Sequence, residues 1–165
     1  MRTIKAKPLT IEAFAQYGSF VNVLNPEGHF LGGEESRFYN DPVTLAVGGI
    51  SSVAFSPLVM MKPKDMIITK AEYHTSTGEG ILIMDDDAIV HVAPPTSHTP
   101  VPEKTEAFVV PKGTFLKLNT AVWHLGPLPV NNEVLHVLIV LPERIYANDC
   151  VVVEYKEEEY IKIEL

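Results

Sequence analysis

Eight consecutive residues, Glu72 to Glu79, contain three side chains that can bind a metal ion or transfer a proton. Glu72 and His74 are two positions apart, so on a β-strand they point to the same face. Glu79 follows across a short polar turn that contains Gly78. Further along the chain, His124 ends another strand-like run. We therefore expect Glu72, His74, Glu79 and His124 to converge inside a small β-barrel and to act as its catalytic residues.

The same four side chains form a candidate metal site. Two carboxylates and two imidazoles could hold one divalent ion without net charge, and such a site suits substrates with oxygen donors, for example α-hydroxy acids. The mixture of ligands fits Ni, Zn, Mn or Fe without choosing among them, and a site with no metal is the open alternative. A lone Glu-x-His pair on a strand is usually a pair of exposed polar side chains. The interpretation therefore depends on the full set, which includes Pro111-Lys-Gly113 and Trp123-His124 in that order.

Two positively charged side chains could anchor an anionic substrate beside this set. Lys70 lies on the same face of its strand as Glu72 and His74. Arg37 stands beside two aromatic residues in the long loop 25–42, from which its guanidinium could reach over the barrel mouth and bind a carboxylate with two parallel hydrogen bonds. An exposed loop held by an aromatic side chain is the alternative interpretation for Arg37.

Length, charge and cysteine content restrict the classes of protein to which the chain can belong. A chain of 165 residues with 46% hydrophobic residues is expected to form one domain, residues 1–165, with one core. The net charge of −8 argues against nucleic acid or an anionic membrane as a partner. The expected partner is a small anionic substrate, for which the site needs local positive charge. The single cysteine, Cys150, excludes an internal disulfide and a cysteine-based zinc site, and its apolar neighbours favour a buried, inert thiol. No signal peptide or membrane-spanning segment is recognised, so a cytoplasmic location is expected.

The hydrophobic pattern predicts an all-β fold with one short N-terminal helix. Thr10 is a plausible N-cap, and Ile11, Phe14 and Ala15 have helical spacing. The many short strands that follow favour a jelly-roll barrel with a cavity at one end. The predicted strands are residues 19–24, 44–47, 51–55, 58–61, 65–74, 80–84, 88–92, 107–110, 114–118, 121–124, 134–141, 150–155 and 160–165.

Several details of these strands are predicted from the same pattern. The runs 80–84 and 88–92 flank Asp85-Asp-Asp87 and are expected to form a hairpin with a solvated acidic turn. His136 is expected in the core with a backbone partner, and His91 as a buried histidine whose hydrogen bonds are satisfied. Trp123 alternates with His124, so it should face away from the cavity. The alternating tail 160–165 and the exposed strand edges predict a homodimer formed by strand exchange or sheet pairing.

The motifs resemble those of a known family. Glu72-x-His74-x4-Glu79, Pro111-x-Gly113 and His124 are similar to the two metal-site motifs of cupins, with Glu72 in place of the first histidine. A narrower resemblance, to the ureidoglycolate lyase family (long called ureidoglycolate hydrolase), runs over roughly residues 5 to 155. The segments that carry it are Glu72-Tyr-His74, Thr77-Gly-Glu79, Ala107-Phe-Val-Val-Pro-Lys-Gly113 and Val122-Trp-His124-Leu-Gly-Pro-Leu128.

This resemblance implies a cupin-type double-stranded β-helix and an enzyme that splits ureidoglycolate into glyoxylate and urea, a reaction of allantoin degradation in purine catabolism. Glu72 or Glu79 would be the base, and His74 or His124 would supply a proton. Asn119 stands where the family has a histidine, and we count it among the candidate substrate-binding residues, with the possibility that the substrate differs. Two alternatives stay open. One is a metal-dependent cupin isomerase or oxygenase acting on another small acid, and the other is a cupin that binds a small ligand without converting it.

Overall fold

The regular secondary structure is mainly β-strand in the structure, a computed structural model that describes residues 1–49 and 52–165. The described strands are β1 (Arg2–Lys5), β2 (Lys7–Pro8), β3 (Gly18–Asn22), β4 (Leu31–Gly32), β5 (Arg37–Phe38), β6 (Val53–Met61), β7 (Ile67–Ile68), β8 (Lys70–Tyr73), β9 (Glu79–Ile83), β10 (Ala88–Ala93), β11 (Glu106–Val110), β12 (Thr114–Leu118), β13 (Trp123–His124), β14 (Leu128–Pro129), β15 (Val134–Pro142), β16 (Val151–Glu154) and β17 (Ile161–Glu164). The α-helices are α1 (Ile11–Phe14) and α2 (Ile145–Asn148), and short 3-10 helices span Pro102–Lys104 and Glu157–Glu159.

Two sheets form the centre of the fold. The first, here called sheet 1, has the order β16-β8-β13-β10-β11-β2, with β14 paired to β10. The second, sheet 2, has the order β3-β12-β9-β15-β6. Their facing side chains, such as Val90 and Phe108 from sheet 1 and Ile81 and Leu116 from sheet 2, form one buried core. The prediction of an all-β, cupin-type jelly roll is confirmed, and within the described residues the two sheets stay separate layers rather than closing into one hydrogen-bonded barrel.

A third layer covers the opposite face of sheet 1. Strands β1, β17 and β7 form it, with β17 in the middle, parallel to β1 and antiparallel to β7. Between this outer sheet and sheet 1 lies a second core that contains Trp123, Tyr73 and Ile161. The Trp123 ring lies 4.2 Å from the Tyr73 ring, and its indole nitrogen donates to the Thr96 hydroxyl at 2.8 Å. Trp123 thus faces away from His124, as the alternation predicts.

The N-terminal helix forms as expected, and a second short helix was missed. Thr10 caps α1, since its hydroxyl accepts a hydrogen bond from the Ala13 backbone at 3.2 Å. Phe14, at the end of α1, is fully buried and packs edge-on against Phe108. The missed helix, α2, begins after Arg144, whose backbone is left-handed with φ of 62°. None of the helices described is long and apolar enough to cross a membrane.

The predicted hairpin around the three aspartates is wrong. Strand β9 belongs to sheet 2 and β10 to sheet 1, so residues 85–87 carry the chain from one sheet to the other. Asp86 is buried, and its carboxylate accepts hydrogen bonds from the backbone nitrogens of Asn131 and Asn132, each at 2.8 Å. The crossing is therefore held by a fixed carboxylate rather than by a solvated turn. His136 is also not a core residue, because it is exposed and pairs with Asp85.

Other strand predictions need smaller corrections. The predicted strand 65–74 divides at Thr69, so that β7 joins the outer sheet and β8 joins sheet 1. Residues 44–47 form no strand. The two runs around Pro57 are one continuous strand, β6, which tolerates a proline because it lies at the edge of sheet 2. Ser51, where the first of these runs was expected to begin, lies outside the described residues.

Candidate active site

A cavity of about 550 Å³ opens between sheets 1 and 2, where β8 faces β6 and β15. Its two walls differ in chemistry. Strand β8 contributes Lys70 and Glu72, and His74 follows directly after it. The facing wall is mainly apolar. The lining residues from the rest of the cavity are Ala54, Ser56, Pro57, Leu58, Met60, Glu79, Leu125, Gly126, Ile139, Leu141, Pro142, Arg144, Ile145, Tyr146 and Cys150.

Three of the four predicted catalytic side chains form a buried triad. Glu79 Oε2 lies 3.1 Å from His74 Nε2 and 2.6 Å from His124 Nε2. Each of the three residues is no more than 5% exposed. Glu79 starts β9 in sheet 2, whereas the histidines come from the ends of β8 and β13 in sheet 1. The carboxylate therefore joins the two sheets at the floor of the cavity.

Both histidines of the triad are oriented by backbone carbonyls. His74 Nδ1 lies 2.6 Å from the Asp149 carbonyl oxygen, and His124 Nδ1 lies 2.9 Å from that of Val122. A carbonyl only accepts hydrogen bonds, so each Nδ1 must carry the hydrogen and donate it. In the neutral form each Nε2 then presents a lone pair to Glu79. The Nε2 atoms can meet a carboxylate favourably only by gaining a second proton or by sharing a cation with it.

The second proton is stabilised on His124. Burial alone would lower the pKa of His124, but the charge and hydrogen bond of Glu79 outweigh burial and raise it to about 9. Burial alone would raise the pKa of Glu79, but the charge of His124 and the hydrogen bonds from both histidines lower it to about 2. At neutral pH the cavity floor therefore holds a buried carboxylate–imidazolium pair that stores one proton.

The triad also fits a divalent cation. The three ligand atoms lie within 4.8 Å of one another. Metal–ligand bonds of about 2.0–2.2 Å place neighbouring ligand atoms roughly 3.0–3.5 Å apart. The His74–Glu79 separation already meets this, and the His124–Glu79 separation would have to widen by a few tenths of an ångström. Two histidines and one carboxylate, with both Nδ1 atoms held by carbonyl groups, are a donor set typical of Zn or non-haem Fe.

Glu72, the fourth predicted member, stands beside the triad rather than in it. Its Cα is directly opposite that of His124 on the paired strands, and its side chain lines the cavity. Its Oε2 accepts a weak hydrogen bond from the Cys150 thiol at 3.4 Å. Burial, and then the negative charge of Glu72, raise the pKa of Cys150 to about 12, so the thiol stays protonated. Glu72 thus presents a carboxyl group outside the triad to a ligand in the cavity.

Only one of the three predicted substrate-binding residues reaches the cavity. Lys70 lines it, next to Glu72. Arg37 lies on the exposed hairpin β4–β5, where its guanidinium stacks over the Phe30 ring at 5.0 Å. Asn119 accepts a hydrogen bond from Lys117 at 2.6 Å, and neither it nor Arg37 is among the cavity-lining residues.

Sequence reasoning missed two residues that shape the site. Arg144 lines the cavity mouth, mostly exposed, and no motif around it indicated this. Asp149 fixes the turn between His74 and Glu79: its carboxylate accepts from the backbone nitrogens of Thr75 and Ser76, each at 2.8 Å, and from both hydroxyls. A Thr-Ser pair is common in turns, and nothing in the sequence connects it with an aspartate so distant in the chain.

His91 is buried as predicted, but its expected hydrogen bonds are missing. Among the described residues, neither ring nitrogen of His91 has a hydrogen-bond partner. Burial, together with the charge of His124, lowers the pKa of His91 to about 3. His91 is therefore neutral in the folded protein and sits outside the triad.

Comparison with known proteins matches the chain to one family. The model of the ureidoglycolate lyase family, described as "Ureidoglycolate lyase", matches residues 1–163. Ureidoglycolate lyase from Pseudomonas aeruginosa strain LESB58 is 23% identical over 135 residues, which cover 81% of this chain and 80% of the relative. The same values hold for ureidoglycolate lyase from Pseudomonas paraeruginosa strain DSM 24068 / PA7.

Proposed function

Because the chain belongs to the ureidoglycolate lyase family, we propose that its cavity splits ureidoglycolate into glyoxylate and urea. The predictions of this family and of a lyase-type enzyme are confirmed by the match over residues 1–163. The observation that carries the proposed chemistry is the pairing of a proton-storing triad with a free carboxylate, Glu72, in one cavity.

The reaction needs a base, an acid and an anchor. The hydroxyl of ureidoglycolate loses its proton while a C=O double bond forms at the same carbon. The C–N bond breaks with its electron pair going to nitrogen, which takes up a proton to complete urea. General acid–base catalysis requires both proton-transfer groups within hydrogen-bond reach of the substrate. The carboxylate of the substrate, which does not react, requires a cation that holds it in place.

The residues of the cavity meet these requirements. Lys70 binds the substrate carboxylate at the polar wall. Glu72, outside the buried ion pair, accepts the hydroxyl proton. The Glu79–His124 pair supplies the proton for the leaving nitrogen through the Glu79 carboxylate, because Glu79 lines the cavity and His124 reaches it only by its hydrogen bond to Glu79. After urea leaves, transfer of the proton from Glu72 back to the pair restores the starting state.

The orientation of the two histidines favours a second candidate, a metal-dependent cupin acting on another small acid. His74 and His124, through Nε2, and Glu79 would hold the ion. A divalent ion bound there would polarise oxygen atoms of an acid substrate. Metal analysis of the purified protein, with glyoxylate release measured before and after chelation, separates the two candidates. Unchanged urea release by chelated, metal-free protein would eliminate the metal-dependent one.

Urea release by variants tests the first candidate. Glu72→Gln and His124→Ala should each abolish urea and glyoxylate release while the circular dichroism spectrum stays that of the parent. Glu12→Gln and His98→Ala make the same chemical changes at exposed positions and should keep full activity. Full activity in both cavity variants would overturn the assignment.

A homodimer remains our proposal for the assembly, on different grounds from those of the sequence. The tail strand β17 already has a partner on each side, so it offers no free edge. Strand β6 is the edge of sheet 2 and exposes Phe55, Val59 and Met61, each more than half accessible. Apolar side chains grouped on an edge strand favour burial against a second copy. Sedimentation of the wild type and of Phe55→Ser would test this, since the variant should shift towards the monomer.

A further inference from the structure

We propose that the substrate of this cavity is an α-hydroxy acid whose leaving urea carries an apolar group of about four to eight carbons on its distal nitrogen. This inference rests on the proposed lyase reaction and adds to it the chemical class of the substrate.

The size of the cavity is the first argument. Its volume is about 550 Å³, which falls within the range of roughly 300–1,000 Å³ that encloses drug-sized ligands. Ureidoglycolate is a two-carbon acid bearing one urea group, and it fills only a minor part of such a space. The proposed reaction uses only the side of the cavity formed by Lys70, Glu72 and Glu79.

The chemistry of the facing wall is the second argument. Opposite β8, strands β6 and β15 present Ala54, Leu58, Ile139 and Leu141 to the cavity. The unsubstituted urea end of ureidoglycolate carries an NH2 group and a carbonyl, and burying these against aliphatic carbon without hydrogen-bond partners costs free energy. An alkyl group at that position gains free energy instead, because it leaves water.

Close packing bounds this end of the cavity. Gly126, two residues after His124, lines the cavity together with Leu58 and Met60. A Cβ at Gly126 would lie 3.3 Å from the Met60 sulfur and 3.5 Å from Leu58 Cδ2, so the backbone at Gly126 packs closely against both side chains and a larger side chain would displace Met60. A flexible methionine at this position can adapt to ligands of different shape.

The chemical step is unchanged by the substituent. The hydroxyl proton goes to Glu72, the C=O bond of glyoxylate forms, and the C–N bond breaks. The nitrogen takes its proton from the Glu79–His124 pair, so the products are glyoxylate and an N-alkylurea. Glyoxylate release is thus one assay for every member of the substrate series.

Turnover of ureidoglycolate and its N′-methyl, N′-butyl and N′-octyl derivatives tests the inference. Burial of each methylene group corresponds to about a fourfold gain in kcat/KM, so the butyl compound should exceed ureidoglycolate by at least about tenfold even with partial burial. A butyl or octyl compound that reacts no faster than ureidoglycolate would overturn the inference, and would show that the apolar part of the cavity is closed to substrate, for instance by a second copy of the chain.

Two variants of β6 locate the effect. Ala54→Phe places a ring inside the cavity, and it should remove most of the gain for the butyl compound, measured as the ratio of its kcat/KM to that of ureidoglycolate in the same variant. Val59→Phe places the same ring on the exposed, opposite face of the strand and should leave the gain intact. Equal gains in the two variants would contradict the assignment of the apolar wall.

A binding measurement separates this inference from the proposed reaction. Glycolate and 2-hydroxyoctanoate share the hydroxy-acid group and cannot lose urea. Calorimetry should give at least about tenfold tighter binding for the longer acid, and Ala54→Phe should abolish the difference. Tighter binding of the longer acid without any glyoxylate release would support the inference on ligand class and reject the lyase reaction. Turnover of ureidoglycolate with no preference for longer compounds would support the lyase reaction and reject the inference on ligand class.

Discussion

Replacing Asp149 with asparagine should weaken the turn that carries the active site. The carboxylate accepts hydrogen bonds from the backbone nitrogens and hydroxyls of both Thr75 and Ser76. Burial alone would raise the pKa of Asp149, but these hydrogen bonds lower it from 3.8 to about 2. Such a shift in pKa corresponds to a contribution of at most about 2.5 kcal/mol to the free energy of unfolding. Because solvent screens a half-exposed carboxylate, we expect a loss of about 1 kcal/mol in the free energy of unfolding.

The pH dependence of this loss has a definite sign. A carboxyl group with a lowered pKa stabilises the folded protein above its unfolded pKa, near 3.8, and the stabilisation disappears as the pH falls through about 2. Wild type and Asp149→Asn should therefore differ at pH 7 and converge towards pH 2. In a thermal scan at pH 7 the difference corresponds to about 2–4 °C for a chain of this size.

The assay is urea unfolding followed by circular dichroism, at pH 7 and at pH 2.5, with glyoxylate release measured in parallel. His74 donates to the Asp149 backbone, so a looser turn should also lower kcat, by about tenfold. Asp65→Asn makes the same chemical change at an exposed carboxylate and should behave as wild type. Equal urea midpoints for wild type and Asp149→Asn at pH 7, or a difference that persists undiminished at pH 2.5, would refute the reasoning.

Three further substitutions probe other parts of the fold. His91→Leu should raise the urea concentration at the midpoint of unfolding, because it removes a buried ring that has no hydrogen-bond partner among the described residues. Wild type should lose stability as the pH falls from 6.5 to 3, because the buried imidazole resists protonation, and the variant should not show this loss. Trp123→Phe should lower the free energy of unfolding by about 1–3 kcal/mol, because it replaces the indole in the second core with a smaller ring and removes the hydrogen bond to Thr96. An unchanged urea midpoint would contradict that packing. Tyr17→Phe should lower the free energy of unfolding by about 1 kcal/mol, because it removes the 2.8 Å hydrogen bond to Glu106. The value of kcat/KM should stay unchanged because neither residue lines the cavity, and a fall in kcat/KM would contradict that placement.

The sequence was sufficient where a feature depends on alternation along one strand. Glu72 and His74 share a face because residues two apart on a strand always do, and the same rule sends Trp123 and His124 to opposite faces. The cavity-facing side of β8 was predictable on this basis alone. The capped helix α1 was also predictable, because Thr10 and the helix that it caps are adjacent in the sequence.

The sequence was insufficient where a feature depends on which sheet a strand joins. Strands β9 and β10 have the spacing of a hairpin, yet in a jelly roll such neighbours belong to opposite layers, and no local pattern records this. The partners of Asp86 and Asp149 are distant in the chain. Asp86 therefore resembled an ordinary turn residue in the sequence, and the role of Asp149 went unrecognised. Arg144 was missed for the same reason. Arg37 was chosen for its guanidinium beside two aromatic residues and Asn119 for its place in the family resemblance, and neither of them lines the cavity.

The position of Glu79 makes the contact between the two sheets sensitive to what the cavity holds. Its carboxylate comes from sheet 2 and reaches histidines of sheet 1. A ligand that draws the carboxylate away should therefore weaken this contact, and a ligand that bridges it should strengthen the contact. Amide hydrogen exchange should report this. Occupancy of the cavity should change protection in β9 and β13 together, as one cooperative unit, while the outer sheet remains unaffected.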